Sequence, residues 1–375
     1  MNRPIKKIKV AIMSHEFDRR PERTLYFRRL IENLLKVDFI DLYLIHFEKM
    51  VDEPLYKRAH EILIPKINLP WGSRFVSFVY FCFITKEHFD IVHWLMPRIF
   101  PLFWLFPAKK VVVMAHGGGD VLIKDGIWTM ARRIFNWTII LFQKHIDAFI
   151  AVSNYSNTEI IQAYKVSPDR VVTIYNPLDP FFLEKIDNKE KKIPYKYFLY
   201  LGRFRLHKNL GVLVRAYLKL KERNINVEEK LMLAGGTRKE LEETFGVMPD
   251  SPFVNDIVFT GYVDKEDMPK LYSGATAFVF PSLNEGFGLP PLEAMSFGTP
   301  SVVSNATSLP EVVGDAGLMF EPNDDETLVD MLEKIATDTS FREELSKKGR
   351  EQAKKFTWDK TLQKTIWLYR KVLSV

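Results

Sequence analysis

The stretch "PSLNEGFGLPPLEAM", residues 281–295, follows the apolar run "ATAFVFPS" and sets Glu285 and Glu293 around two glycines and a double proline. The run is rich in Phe and Val and bounded by turn formers, so it reads as a buried strand. Pro290 and Pro291 can open a helix, because the first helical turn needs no amide donors. The intervening "LNEGFG" is then the loop at the carboxyl end of a parallel strand, where open α/β sheets bind ligands. Gly286 and Gly288 permit unusual φ and close backbone approach, which turns neighbouring amides toward a phosphate or sugar oxygen at the helix start. The spacing puts Glu293 in the first helical turn and Glu285 in the loop. Carboxylates on two different elements do not suit a hydrolase, whose paired acids face one bond about 5–9.5 Å apart. They suit two acceptors gripping different hydroxyls of one extended ligand through charge-assisted bonds. Taken singly, Glu293 is explained by the helix macrodipole and Glu285 by solvation. Only the whole pattern points to a site.

A second constellation, "YLGRFRLHKNL" at residues 200–210, ends a strand at Gly202 and places Arg203 and Lys208 before a helix that begins near Asn209. A guanidinium fork and a point charge aimed by a rigid strand are what a diphosphate requires. On its own such a pair is ordinary surface charge; in the same sheet as the glycine loop it reads as a phosphate clamp.

Outward from these loops, short apolar runs alternate with helical patterns along the chain. "KIKVAIMS", "FIDLYLIHF", "FDIVHWL", "KKVVVMAH", "DAFIAVS" and "RVVTIYN" come first. After a break rich in Pro and charge, "YFLYLGRF", "EKLMLAGG", "DIVFTGYV", "ATAFVFPS" and "TPSVVSN" repeat the pattern. This is the signature of an α/β architecture with mostly parallel, doubly wound sheets. With 375 residues and 47% hydrophobic content, the chain exceeds one ordinary core. The expectation is a Rossmann-like N-terminal domain over residues 1–177, a linker over 178–196 and a C-terminal domain over 197–355. Residues 356–375 carry Trp358, Leu362, Ile366, Leu368 and Tyr369 at helical spacing and are expected to pack back on the N-terminal domain.

The longest apolar run, "VSFVYFCFI" at residues 76–84, is about half of the ~18 residues that span a bilayer. The start "MNRPIKKIKVAIMSHEF" lacks a secretory core. A cytoplasmic protein is expected. The single Cys82 reads as core filler, and no Cys or His pairs stand at metal-ligand spacing, so no metal is expected. The net charge of +6 suits an anionic nucleotide, an anionic membrane surface or nucleic acid. Nucleic acid is the weakest of these, since no basic-aromatic module is present.

"GRFRLHKN" followed downstream by "PSLNEGFGLPPLEAMSFGTPSVVSNATSLPEVVGDAG" resembles the C-terminal domain of the retaining GT-B glycosyltransferases of family 4, whose E-x7-E spacing is met by Glu285 and Glu293. The N-terminal half fits through its strand pattern and the segments "VSNYS" and "YNPLD". The resemblance implies a GT-B fold, two Rossmann-like doubly wound domains facing a cleft. A UDP-sugar or GDP-sugar donor would sit mainly on the C-terminal domain, and a glycan or lipid-linked acceptor mainly on the N-terminal one. It implies that Arg203 and Lys208 bind the donor diphosphate, that Glu293 holds the ribose hydroxyls, and that Glu285 with the amides of Gly286, Phe287, Gly288 and Leu289 holds the sugar and distal phosphate. Gly261, Tyr262 and Val263, in "TGYV", stand where such enzymes contact the nucleobase through backbone. Hexosyl transfer would proceed with retention, without metal or cofactor. The departing phosphate would help deprotonate the acceptor while Arg203 and Lys208 stabilise its charge.

"VVVMAHGGGDVL" sets His116 and three glycines after a strand. Its GxG lacks the third glycine or alanine of a dinucleotide fingerprint, so a simple NAD site is not supported. The resemblance puts a histidine after this strand beside the donor sugar and the reacting hydroxyl. His116 is the match, the alternative being that it only orders the glycine turn. His15 and His93 read as structural. The sequence departs from the family after the first strand, where "SHEFDRRPERTLYFRRL" offers Arg19, Arg20, Arg23, Arg28 and Arg29 and no glycine. Either an anionic acceptor is recognised there or the arginines form a solvated helix face. "LMPRIFPLFWLFPAKK", with Arg98, Lys109 and Lys110, suits either a membrane interface, as in relatives with lipid-linked acceptors, or a buried helix. Ser153 and Ser156 lack a G-x-S-x-G elbow and read as helix capping. Three rivals share the fold: a sugar-phosphate phosphorylase, a nucleotide-sugar epimerase that needs no acceptor, and a non-catalytic module that binds nucleotide and leaves the sugar bond intact.

Overall fold

The computed structural model describes residues 7–15, 25–48, 54–69, 72–115, 117, 130–183, 193–224, 226–246 and 248–374. The chain divides into two compact units, residues 1–175 with 358–375, and residues 176–357.

In the first unit the strands are β1 (Ile8–Met13), β2 (Ile40–His46), β3 (His60–Leu63), β4 (Phe89–Trp94), β5 (Ala108–Ala115), β6 (Ala148–Ala151) and β7 (Val171–Thr173). They pair in parallel in the order β3-β2-β1-β4-β5-β6-β7. Side chains alternate across each strand, so the unit has two cores. On one face Ala11, Met13, Tyr43, Val92, Val113 and Phe149 pack against the helices Ser73–Ile84, Met130–Phe142 and Asn154–Tyr164. Cys82 is a partly buried member of this layer. On the other face Val10, Ile12, Leu42, Leu44, Ile91 and Val112 pack against the helices Leu25–Leu34 and Trp358–Leu373. Leu368 and Tyr369 of that last helix are fully buried, and the Tyr369 hydroxyl lies 2.7 Å from His93 Nδ1. Burial pushes the His93 imidazole down to about 3, so it stays neutral and serves packing.

The second unit contains β8 (Tyr197–Leu201), β9 (Lys230–Ala234), β10 (Ile257–Gly261), β11 (Ala277–Phe280), β12 (Ser301–Ser304) and β13 (Leu318–Phe320). These strands are parallel in the order β10-β9-β8-β11-β12-β13. This is the doubly wound order, reversing between β8 and β11. Beyond β8 and β9 the backbones press together: the Gly202 N–H donates to the Ala234 carbonyl at 2.9 Å and the Gly235 N–H to the Gly261 carbonyl at 2.8 Å. A Cβ on Gly235, whose φ is +107°, would stand 2.5 Å from the Gly202 carbonyl oxygen, so only glycine fits.

Two strands escape the sequence pattern. β3 is four residues long and mostly exposed at the sheet edge, and β13 has three residues. Residues 178–183 are built into the second unit, since the Leu178 N–H donates to the Phe356 carbonyl at 3.0 Å and Lys265 pairs with Asp179 at 2.7 Å. Among the described residues no helix is long and apolar enough to cross a membrane.

Candidate functional site

The strand order of the second unit reverses between β8 and β11, and such a reversal opens a crevice at the carboxyl ends of the strands. Both sequence constellations arrive there. After β8 the chain runs through Arg203 to a short 3-10 turn, Leu206–Lys208; after β11 it runs through residues 281–288 to the helix Leu289–Ser296. The Leu283 N–H donates to the His207 carbonyl at 2.7 Å, and the Ser282 hydroxyl donates to the same carbonyl at 3.1 Å. The two loops are thereby fastened together.

Lys208 Nζ donates to Glu285 Oε1 and lies 4.8 Å from the centre of the Phe280 ring. Their side chains are 16% and 17% exposed, enough for a ligand to reach and little enough to strengthen the charges. The expected phosphate cation and the expected sugar carboxylate thus hold each other. Arg203 is exposed, and its guanidinium makes no ion pair with a described residue. Its carbonyl accepts from the Tyr200 hydroxyl at 3.1 Å, which anchors the backbone and leaves the side chain to solvent.

A third loop, after β12, supports the second. The Glu285 N–H donates to Thr307 Oγ1 at 3.1 Å. The Ser308 hydroxyl lies 2.9 Å from the Glu285 carbonyl and 2.7 Å from that of Phe287. Thr307 takes φ +52°, a left-handed conformation that is an outlier for a β-branched residue and is kept only where its surroundings impose it. Sequence reasoning missed Thr307 and Ser308. Their signal is "SNATSLPE", a polar loop between a strand and a helix, one strand beyond the glycine loop.

Gly288 precedes the helix with φ +107°, and a Cβ there would stand 2.6 Å from Leu309 Cδ2. Of the two loop glycines, the left-handed φ belongs to Gly288. Leu289, with the prolines behind it, opens the helix, so Glu293 is its fifth residue. The expectation that Glu293 lies in the first turn is therefore corrected, because a turn holds about 3.6 residues and closes at Leu292. One turn inside, Glu293 accepts from the Tyr272 hydroxyl at 2.8 Å. Burial pushes its carboxyl up to about 7; the Tyr272 bond and Lys265 pull it down, and Asp179 pushes it up.

At the end of β10, Gly261 takes φ +69°, Tyr262 is 84% exposed and Val263 is buried. Parallel pairing brings this strand end to the same edge of the sheet as Arg203 and Glu285. Of the other residues singled out, Ser153 caps its helix by accepting from the Ser156 N–H at 2.9 Å, and Arg29 pairs with Glu32 at 3.0 Å. His15 packs its ring against Phe47, Trp94 and Phe100. His116, Arg19, Arg20 and Arg23 lie outside the described residues. Among the described residues no group of three or more His, Cys, Asp and Glu could hold a metal ion.

The arrangement combines two cations, a carboxylate near the surface and a more deeply set carboxylate around one strand-end crevice. Both units of the chain are similar to known proteins. Residues 26–181 match the model described as Glycosyltransferase Family 4, and residues 182–352 match that of Glycosyl transferases group 1. The O-antigen chain mannosyltransferase B of Escherichia coli is 38% identical over 228 residues, covering 59% of this chain and 60% of that protein. A serotype-specific mannosyltransferase WbdA of the same species is 33% identical over 243 residues, covering 61% of this chain and 29% of that protein. The chain thus spans less than two thirds of the length of either relative. Among solved structures, Anabaena Alr3699/HepE in complex with UDP and glucose superposes with a TM-score of 0.72 at 16% identity, covering 97% of this chain and all of that one. The two parallel α/β units are those of the GT-B fold, and the chain belongs to the family 4 glycosyltransferases.

Proposed function

We propose that this chain transfers a mannosyl group from a UDP- or GDP-linked sugar to a hydroxyl of a glycan or lipid-linked acceptor, with retention and without a metal. The observation that carries the reading is the Lys208–Glu285 pair at the strand-order reversal, with Arg203 exposed beside it. The pair keeps two partly buried charges satisfied. When the donor enters, its diphosphate takes Lys208 and its sugar hydroxyls take Glu285, so each charge exchanges one partner for another. Arg203 adds a planar fork to the diphosphate. Both cations then face the negative charge that grows on the leaving group, and their placement costs no reorganisation at that moment. The departing phosphate receives the acceptor proton. Glu293 holds the ribose, the amides of residues 286–289 hold the distal phosphate, and Gly261, Tyr262 and Val263 line the base.

Mannose is favoured by what the Escherichia coli relatives are named for, and UDP is kept as a donor nucleotide by the Anabaena complex. A lipid-linked acceptor goes with peripheral membrane contact. The test is thermal unfolding with UDP, GDP, ADP and CDP in EDTA, for the wild type and the Arg203→Ala, Lys208→Ala double variant. A ligand at a hundred times its dissociation constant adds about 2.7 kcal/mol. A shift with one nucleotide that the variant loses is expected. No shift with any nucleotide, or the same shift in the variant, overturns the donor site. Product analysis separates transfer from epimerisation, since an epimerase alters the sugar nucleotide without an acceptor.

A further inference from the structure

We propose that one side of the first unit is a docking surface for an anionic lipid bilayer, formed by the helix Ser73–Ile84, the segment 99–106 and the helix Met130–Phe142. The inference gives a place to the membrane contact in the proposed function, and it is tested without glycosyl transfer.

These three elements form one continuous layer. Phe78 and Phe81 of the first helix lie 6.2 Å, ring to ring, from Phe106, and Phe78 lies 5.3 Å from Phe100. On the other side Phe100 lies 6.3 Å from Phe135 and Trp104 lies 4.4 Å from Phe142. The inner sides of all three fill the core on one face of the sheet. Their outer sides should then be polar, and they are not. Phe83 is 73% exposed, Trp137 65% and Leu141 60%, with Tyr80, Ile84, Leu102, Leu105 and Ile134 exposed around them. On the second helix Ile134, Trp137 and Leu141 fall within about 60° of arc, a single outward stripe. A stripe of large apolar side chains aimed at solvent costs solubility unless something covers it.

Charge identifies the cover. The chain has 47 acidic residues, yet residues 73–84, 95–110 and 130–146 contain none, against seven Lys and Arg. Arg74, Lys109 and Lys110 pair with Glu48, Asp90 and Asp147, acids that lie outside these segments. Arg98 and Lys144 are exposed. A second copy docking face to face would bring basic residues against basic residues. An anionic bilayer offers phosphates to the cations and acyl chains to Phe83, Trp137 and Leu141, and an exposed Trp with flanking cations is suited to that boundary.

The experiment is sedimentation of the full chain with vesicles of phosphatidylcholine alone and of phosphatidylcholine with one third phosphatidylglycerol. Binding is expected to the anionic vesicles, weakening as salt rises. The Phe83→Glu, Trp137→Glu double variant should partition at least about tenfold less. Thermal unfolding and the nucleotide-induced shift verify that it is folded. Trp367→Ala removes an exposed Trp from the C-terminal helix, which packs on the opposite face of the sheet, and should bind as the wild type does. Absence of binding to anionic vesicles overturns the proposal, as does undiminished binding by the double variant or an equal loss in Trp367→Ala. A dimer that the double variant dissociates, without vesicle binding, overturns it in favour of self-association. Vesicle binding without any nucleotide shift leaves this surface standing and removes the proposed function; the converse does the reverse.

Discussion

The two units repeat one topology and fill the same crevice with different chemistry. In the first, the reversal lies between β1 and β4, and among the described residues beyond these strands His15 packs against Phe47, Trp94 and Phe100. In the second, the reversal between β8 and β11 is occupied by Lys208 and Glu285, with Arg203 at its margin. A doubly wound sheet determines where a crevice opens, because neighbouring loops leave its strands in opposite directions at the reversal. It does not determine what the crevice holds. Apolar rings pack around a histidine in one; a cation and a carboxylate pair in the other.

The largest effect should come from the charged crevice. Lys208→Ala is expected to slow sugar transfer about 10²–10³-fold, the usual result of removing one preorganised donor to a developing anion. Donor turnover with acceptor present measures it, and an undiminished rate would break the contrast between the crevices. The converse change is Phe100→Ala in the aromatic crevice, expected to cost about 3–4 kcal/mol of stability by denaturant unfolding. It should leave the nucleotide-induced thermal shift in place; a lost shift would mean that the two crevices are not chemically separate.

Next in size is a pH effect at Glu293. Its carboxyl is pushed up to about 7 from an ordinary value of 4.5, so between those limits the folded chain binds more protons than the unfolded one. Stability from this group is therefore full below the window and falls as pH rises through it, by at most about 3 kcal/mol. Glu293→Gln should abolish that fall in a series of unfolding curves from pH 4.5 to 8. Nucleotide affinity should move the other way in the wild type, rising with pH as the ionised carboxylate becomes able to accept from both ribose hydroxyls, and should be flat in the variant. The smallest effect tests the packing under the first sheet. Tyr369→Phe removes the hydroxyl 2.7 Å from His93 and should cost about 1 kcal/mol with no change in nucleotide binding.

Much of this was legible in residue order. Runs such as "KKVVVMAH" and "ATAFVFPS" announced buried parallel strands because a strand covered on both faces must be apolar throughout. β3 and β13 were silent for the converse reason: β3 is a short, mostly exposed edge strand, and β13 pairs only with β12 and has three residues, so neither had to be continuously apolar. Lys208 and Glu285 were legible as candidates for one site, through the loop chemistry around them, but not as partners of each other. Seventy-seven positions separate them, and spacing carries no information about contact at that range. Thr307 and Ser308 were missed because a Thr and a Ser in a loop read as solvated turn residues until the neighbouring loop is seen resting on them.

By itself the sequence determined the alternation of strands and helices, the strand-end loops that gather cations, carboxylates and glycines, and the family to which the chain belongs. These follow from local rules: apolar periodicity, the backbone freedom of glycine and the lack of a proline amide donor. Only the tertiary structure decided that Lys208 and Glu285 neutralise each other, that Glu293 sits one turn inside its helix against Tyr272, and that Phe83, Trp137 and Leu141 are left exposed on helices that pack on the same side of the first sheet. Each of these depends on which elements the sheet order makes neighbours. That order is a property of the packed core, where burial of one face leaves the other to solvent, and it is not encoded in any single segment of the chain.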